Sequence, residues 1–130
     1  MRILLAEDDF VTRKFMTSFL SKYGSCDVTV DGMEAVDAFL MALEDEEPYD
    51  LVCLDIMMPV MDGYQALQGI RNLEKERDIP TDKAAKVIMA TALNDESNVK
   101  MAFDLGCTIY TGKPIDQERF EMALKKLGIA

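Results

Sequence analysis

The sequence predicts an α/β domain, a (βα)5 three-layer sandwich whose parallel five-stranded sheet carries helices on both faces. The first observation behind this is alternation: short β-branched or aliphatic runs are each followed by a longer segment of helical period. The second is size and composition. A chain of 130 residues, 49% hydrophobic and 29% charged, fits one compact domain. Such a chain buries roughly two-thirds of its unfolded surface.

In chain order, the first strand is expected at Arg2–Ala6, and the helix after it has Val11, Phe15 and Phe19 at i, i+4, i+8 as its apolar stripe. A second strand at Asp27–Val30 precedes a helix striped by Val36, Leu40 and Leu43. The third strand, Leu51–Leu54, is apolar throughout and therefore buried on both sides; Tyr64, Leu67, Ile70 and Leu73 then recur at helical spacing. Glu74 to Ala85 is charged and carries Pro80, which reads as a frayed helix end and a surface loop. A fourth strand at Lys86–Ala90 leads to a helix that Asn94 to Ser97 can cap, in which Val99 pairs with Phe103 and which Gly106 stops. The fifth strand, Thr108–Thr111, is followed by a helix capped by Asp116 and striped by Phe120, Leu124 and Leu127. With no repeat and no flexible linker in the sequence, residues 1–130 are expected to form a single domain without an output domain.

Composition removes several function classes. Histidine is absent, so the chain holds no Ser-His-Asp or Cys-His triad, no histidine metal site and no phosphohistidine. With 14 basic and 24 acidic side chains the formal charge is −10, which repels nucleic-acid phosphates and anionic membrane surfaces and suits divalent cations. Cys26, Cys53 and Cys107 are odd in number and far apart, which fits neither a disulfide framework nor a zinc site and points to a reducing cytoplasm. No apolar run has the length of a signal peptide or a membrane span. Gly106 and Gly112 are too widely spaced for a P-loop and Pro114 stands where it needs Ser or Thr, while no G-x-G-x-x-G follows the first strand.

Ligand crevices of open parallel sheets lie beyond the carboxyl ends of the strands. There this sequence places Glu7, Asp8 and Asp9 after the first strand, Asp55 after the third, Thr91 after the fourth and Lys113 after the fifth. Carboxylates from two strands at close range call for a cation, and an all-oxygen acidic cluster suits Mg2+. With one threonine and one lysine added, the set matches the needs of phosphoryl transfer, and Asp55 is the natural nucleophile.

These residues resemble the receiver domains of two-component response regulators along the whole chain. The resemblance rests on Asp8-Asp9, on Leu54-Asp55-Ile56-Met57-Met58-Pro59 with Asp62-Gly63, on Thr91-Ala92 and on Lys113-Pro114, all in order. It implies a flavodoxin-like sheet in the order 2-1-3-4-5. It also implies that a histidine kinase or phosphotransfer protein phosphorylates Asp55, that Asp9, Asp55 and the Met57 backbone carbonyl ligate Mg2+, and that Asp8 does so largely through water. Thr91, Ala92 and Lys113 would bind the phosphoryl group, Tyr110 would be the aromatic switch, and Lys113-Pro114 would be a cis peptide. The signal would reshape the face made by the fourth helix, fifth strand and fifth helix, which would bind a downstream protein; a phosphorylation-dependent dimer is compatible with the same face.

Two rival readings are weaker. A haloacid-dehalogenase-like phosphatase needs an acid/base Asp two residues after its nucleophile, where this chain has Met57. A receiver fold that is no longer phosphorylated usually lacks one of the acidic, aspartyl or lysyl positions, and this chain has them all. Met57 and Leu93 would line the site mouth, and two bulky apolar groups there should hinder an attacking water.

Overall fold

In a computed structural model describing residues 1–92 and 96–129, the five strands are β1 (Arg2–Ala6), β2 (Ser25–Thr29), β3 (Leu51–Leu54), β4 (Lys86–Thr91) and β5 (Ile109–Gly112). They pair in parallel in the order β2-β1-β3-β4-β5, the order that the resemblance implies. β1 is central to the acidic end of the sheet, its Ala6 facing Thr29 on one side and Leu54 on the other. The intervening helices are α1 (Phe10–Leu20), α2 (Gly32–Glu44), α3 (Gly63–Glu76), α4 (Glu96–Asp104) and α5 (Gln117–Lys126).

Period-two alternation sorts the strand side chains into two cores. Leu4, Ala6, Val52, Leu54, Val87 and Met89 meet α2 and α3 through Ala35, Phe39, Leu67 and Ile70. Ile3, Leu5, Leu51, Cys53 and Ile88 meet α1 and α5 through Met16, Phe19, Phe120 and Leu124.

The helical stripes fall partly as expected. Phe120 and Leu124 on α5 are buried, as are Leu67 and Ile70 on α3. On α1, however, the buried residues are Met16, Phe19 and Leu20, while Val11 is 73% and Phe15 40% exposed. Phe19 turns toward Phe120, and the line from Val11 to Phe15 runs along the flank of the helix rather than beneath it. On α2 the sheet-facing positions are Ala35, Phe39 and Ala42, small residues flanking one ring that let the helix lie close to the strands. α4 buries Ala102 rather than the pair Val99 and Phe103.

The charged stretch from Glu74 to Ala85 is less of a surface loop than its composition suggests. α3 runs through Glu76, and Glu74 is buried against Arg71 and the backbone N–H of Ala85. A short 3-10 turn at Thr81–Lys83 completes the connection. Asp116 caps α5 as expected by accepting from Glu118 and Arg119. Asn94, a proposed cap of α4, lies outside the described residues.

Candidate functional site

Three strand ends deliver one ionic cluster. Ile3 and Leu5 face α1 and α5, and so, two residues on, does Glu7; the same count leads from Leu51 and Cys53 to Asp55, and from Ile109 to Lys113. Lys113 Nζ accordingly lies 2.8 Å from both carboxylate oxygens of Glu7 and 3.3 Å from Asp55 Oδ2. Glu7 is 2% and Asp55 6% exposed. Asp8 reaches in from the next position, so that one carboxylate oxygen each of Glu7, Asp8 and Asp55 lies within 4.8 Å of the others.

Asp9, expected to ligate Mg2+ together with Asp55, is not part of this cluster. Its Oδ2 accepts from the backbone N–H of Thr12 at 2.8 Å and from the Thr12 hydroxyl at 2.7 Å, which caps the first turn of α1. The side chain that meets Lys113 and Asp55 from β1 is Glu7. Of the three consecutive acids after β1, the first two face the site and the third starts the helix. Arg13 fixes this turn by donating to the carbonyls of Glu7 at 3.1 Å and Asp8 at 3.3 Å.

Burial raises both Glu7 and Asp55 above their usual values, against the lowering effect of Lys113. The Asp55 carboxylate also accepts from the backbone N–H of Met57. Burial pulls the Lys113 ammonium down, but the bonds to Glu7 and the charge of Asp55 outweigh it and hold its pKa above the usual 10.5. Hydrogen bonds from Thr12 hold Asp9 below the usual carboxylate range.

A carboxyl whose pKa rises on folding favours the folded state below its unfolded pKa, and that contribution is lost as pH rises through the folded value. The metal-free protein is therefore expected to lose thermal stability as pH climbs from about 4 through the raised values of Glu7 and Asp55. Mg2+ should restore the loss, and Asp55→Asn should shrink it. Tm measured against pH with and without Mg2+ checks this; a Tm that does not fall over that range contradicts it.

The loop after Asp55 is held against the site by Gly63, whose N–H donates to Ile56 O at 2.8 Å. A Cβ there would come within 2.3 Å of the Asp55 carbonyl oxygen, so only glycine allows this approach. Asp62 then caps α3 in a reciprocal box with Gln65. Met57, two residues after Asp55, is 60% exposed. Thr91 ends β4 fully buried, and Ala92 follows it at the surface. Leu93 lies outside the described residues. Tyr110 shares the other sheet face with Met89, is packed against the α2–α3 core and has its hydroxyl buried. Lys113-Pro114 is cis, as expected.

The chain matches the response regulator receiver domain family over residues 3–125. It belongs to that family. This receiver is 34% identical over 134 residues to Probable histidine kinase 2 of Oryza sativa subsp. indica, covering 95% of this chain and 12% of the kinase. It is 34% identical over 120 residues to Chemotaxis protein CheY of Treponema pallidum, covering 91% of this chain and 76% of that one. Among solved structures it resembles CheY in a CheX complex with beryllofluoride and Mg2+ from Borrelia burgdorferi, with a TM-score of 0.83 and 29% identity over 100% of this chain and 90% of that one. The receiver thus spans about an eighth of the kinase's length.

Receiver domains belong to two-component phosphorelays, and theirs is a signalling family rather than a family of turnover enzymes. They generally bind Mg2+ at an acidic site, and an acidic cluster is present here. Among the described residues no helix is long and apolar enough to cross a membrane.

Proposed function

We propose that this receiver is an active phosphoacceptor, in which a histidine kinase or phosphotransfer protein transfers its phosphoryl group to Asp55. The observation that carries this reading is the Lys113 ammonium bridging Glu7 and Asp55 at the buried end of the sheet. It holds the Asp55 carboxylate in place and is positioned to bond phosphoryl oxygens once they arrive.

The donor set fits Mg2+, since all its atoms are carboxylate oxygens and an exposed acid, Asp8, opens the cluster to solvent. Asp8 and Asp55, with the Met57 carbonyl, would hold the ion, and Glu7 would support it. Bound there, Mg2+ would neutralise charge on the phosphoryl oxygens. An Asp55 carboxylate oxygen attacks phosphorus in line, forming the O–P bond as the N–P bond to the donor imidazole breaks and that ring takes a proton. Lys113 then bonds a phosphoryl oxygen, and the buried Thr91 hydroxyl bonds another.

Drawing Thr91 toward the phosphoryl group opens space on the sheet face that it shares with Tyr110. Tyr110 fills that space, and the surface of α4, β5 and α5 changes shape. A groove of about 450 Å³ on that surface, lined by Phe103, Tyr110, Arg119 and Met122 among others, is where a downstream protein or a second receiver would bind. The acidic charge and three free cysteines suit a cytoplasmic domain that does not bind nucleic acid or membrane directly. Met57, where a phosphatase would need its acid/base Asp, makes turnover on external phosphate esters the weaker reading.

Intact-protein mass after incubation with Mg2+ and acetyl phosphate tests the proposal. One phosphoryl adduct is expected, lost without Mg2+ and lost in Asp55→Ala. In the same assay the adduct should decay faster in Met57→Asn, because a polar side chain at the mouth admits water. A well-folded protein that takes no adduct would leave a phosphorylation-independent binding module as the better description.

A further inference from the structure

Residues 55–62, between β3 and α3, supply one of the proposed Mg2+ ligands, the Met57 carbonyl, yet they belong to no helix or strand. Three short backbone bonds shape this loop from within. Met58 N–H donates to Ile56 O at 3.1 Å, Met61 N–H to Pro59 O at 2.7 Å and Gly63 N–H to Ile56 O at 2.8 Å. Mg2+ demands near-ideal octahedral geometry, so a ligand carried on such a loop is useful only if the loop is also held from outside.

Gly32, the first residue of α2, reaches the loop from another element. Its N–H, one of the donors that a helix leaves without an intrahelical partner, donates to Met61 O at 3.0 Å. The approach is close: a Cβ on Gly32 would overlap the Met61 carbonyl oxygen and lie 2.8 Å from its carbon. A residue without a side chain is what this contact requires. The start of α2 is itself rigid, because Asp31 accepts from Glu34 N–H at 2.8 Å and Glu34 Oε1 accepts from Val30 N–H at 3.1 Å.

The loop side of the contact is strained. Val60 stands at the centre of the three-residue turn closed by Met61 N–H, with a φ of 69° that a β-branched residue rarely adopts. It is 75% exposed, so its side chain gains little packing in return. Backbone strain of this kind persists where the surroundings over-determine it, and the Met61 carbonyl seated on Gly32 is such a surrounding.

We propose that Gly32 is a positioning residue for the Mg2+ site, holding the acceptor loop through Met61 so that the Met57 carbonyl is already in place when the ion arrives. Gly63 holds the loop against Asp55, and Gly32 holds it against α2. The role rests on the metal reading above and gives a part in ion binding to an element that contributes none of the proposed ligands.

The test measures Mg2+ affinity by calorimetric titration, and unfolding free energy in urea, for the natural chain and four variants. Gly32→Ala is expected to weaken Mg2+ binding about tenfold, the scale of losing a group that orients a metal ligand. Val60→Pro breaks the same contact from the loop side, since proline holds φ at about −65°, and it should weaken binding likewise. Its exposed position lets it decide the matter even if Gly32→Ala does not fold. Val60→Asn, which accepts a positive φ, is expected to bind as the natural chain does. Gly24→Ala controls for lost stability, because a Cβ there would lie 2.9 Å from the Met1 carbonyl carbon, a similar clash just before β2 at the other end of the sheet. It should lower stability and leave affinity alone. Natural affinity in a folded Gly32→Ala or in Val60→Pro overturns the positioning role, and so does an equal loss in Gly24→Ala or Val60→Asn. A natural chain that binds no Mg2+ overturns the metal reading and the positioning role with it.

Discussion

Asp8→Asn is expected to weaken Mg2+ binding by roughly 10- to 100-fold, with Glu7→Gln acting in the same direction, whereas Asp9→Asn leaves it unchanged. The three residues are consecutive acids, so composition cannot separate them; geometry does. Glu7 and Asp8 place oxygens within 4.8 Å of each other and of Asp55. The Asp9 carboxylate is committed to Thr12, 2.8 Å from its N–H and 2.7 Å from its hydroxyl. Asparagine caps a helix as well as aspartate does, so Asp9→Asn should be silent in stability too, while Asp9→Ala should cost about 1 kcal/mol. Calorimetric Mg2+ titration of the four variants, paired with their unfolding free energies, decides the matter. A large affinity loss in Asp9→Asn would return that residue to the site.

Phe120→Ala is expected to cost about 3–5 kcal/mol, a large share of the roughly 5–15 kcal/mol that holds a domain together. Phe120 is 1% exposed and meets Phe19 edge to face with ring centroids 5.5 Å apart. Removing the ring leaves a void between α1, α5 and the sheet that Leu124, Ile88 and Leu20 are too well packed to fill. Because α5 follows directly on the Lys113-Pro114 segment, the loss should also loosen the Lys113 bridge. Phe15→Ala is the contrast, since Phe15 is 40% exposed and stacks on Phe19 only from the flank at 6.4 Å; its cost should be less than a third as large. Urea unfolding of both variants checks the pair, and equal losses would contradict the packing described.

The sheet was legible in the sequence because buried parallel strands are written as apolar runs of fixed length, and their carboxyl ends could be counted off. The positions of Asp55, Thr91 and Lys113 at the strand ends follow from that count, and the structure brings Asp55 and Lys113 to 3.3 Å. The place of Asp9 does not follow, although the signal was present: Ile3, Leu5 and Glu7 share one parity, the parity that also leads from Leu51 to Asp55, and extending it would have placed Glu7 opposite Lys113. Reading Asp8-Asp9 as the pair overlooks that Asp9 caps α1 and that Glu7, the acid before the pair, is the one that faces the site. Val11 and Phe15 misled for a related reason: apolar spacing marks a possible stripe, but which stripe faces the sheet depends on the angle at which the chain enters the helix. Glu74 was hidden because a buried carboxylate looks like any other in sequence, and its burial depends on Arg71 and on Ala85, eleven residues away.

The alternation of the strands has a consequence for how such a protein changes over time. The ionic cluster follows one parity and is backed by α1 and α5, while Tyr110 follows the other and rests on the core under α2 and α3. A substitution in a strand therefore touches one of these two sets and leaves its neighbour's surroundings largely alone. Thr91 is the exception, since it lies on the parity of Tyr110 yet is the residue proposed to bond the phosphoryl group, so the end of β4 is where a signal would cross from one face of the sheet to the other.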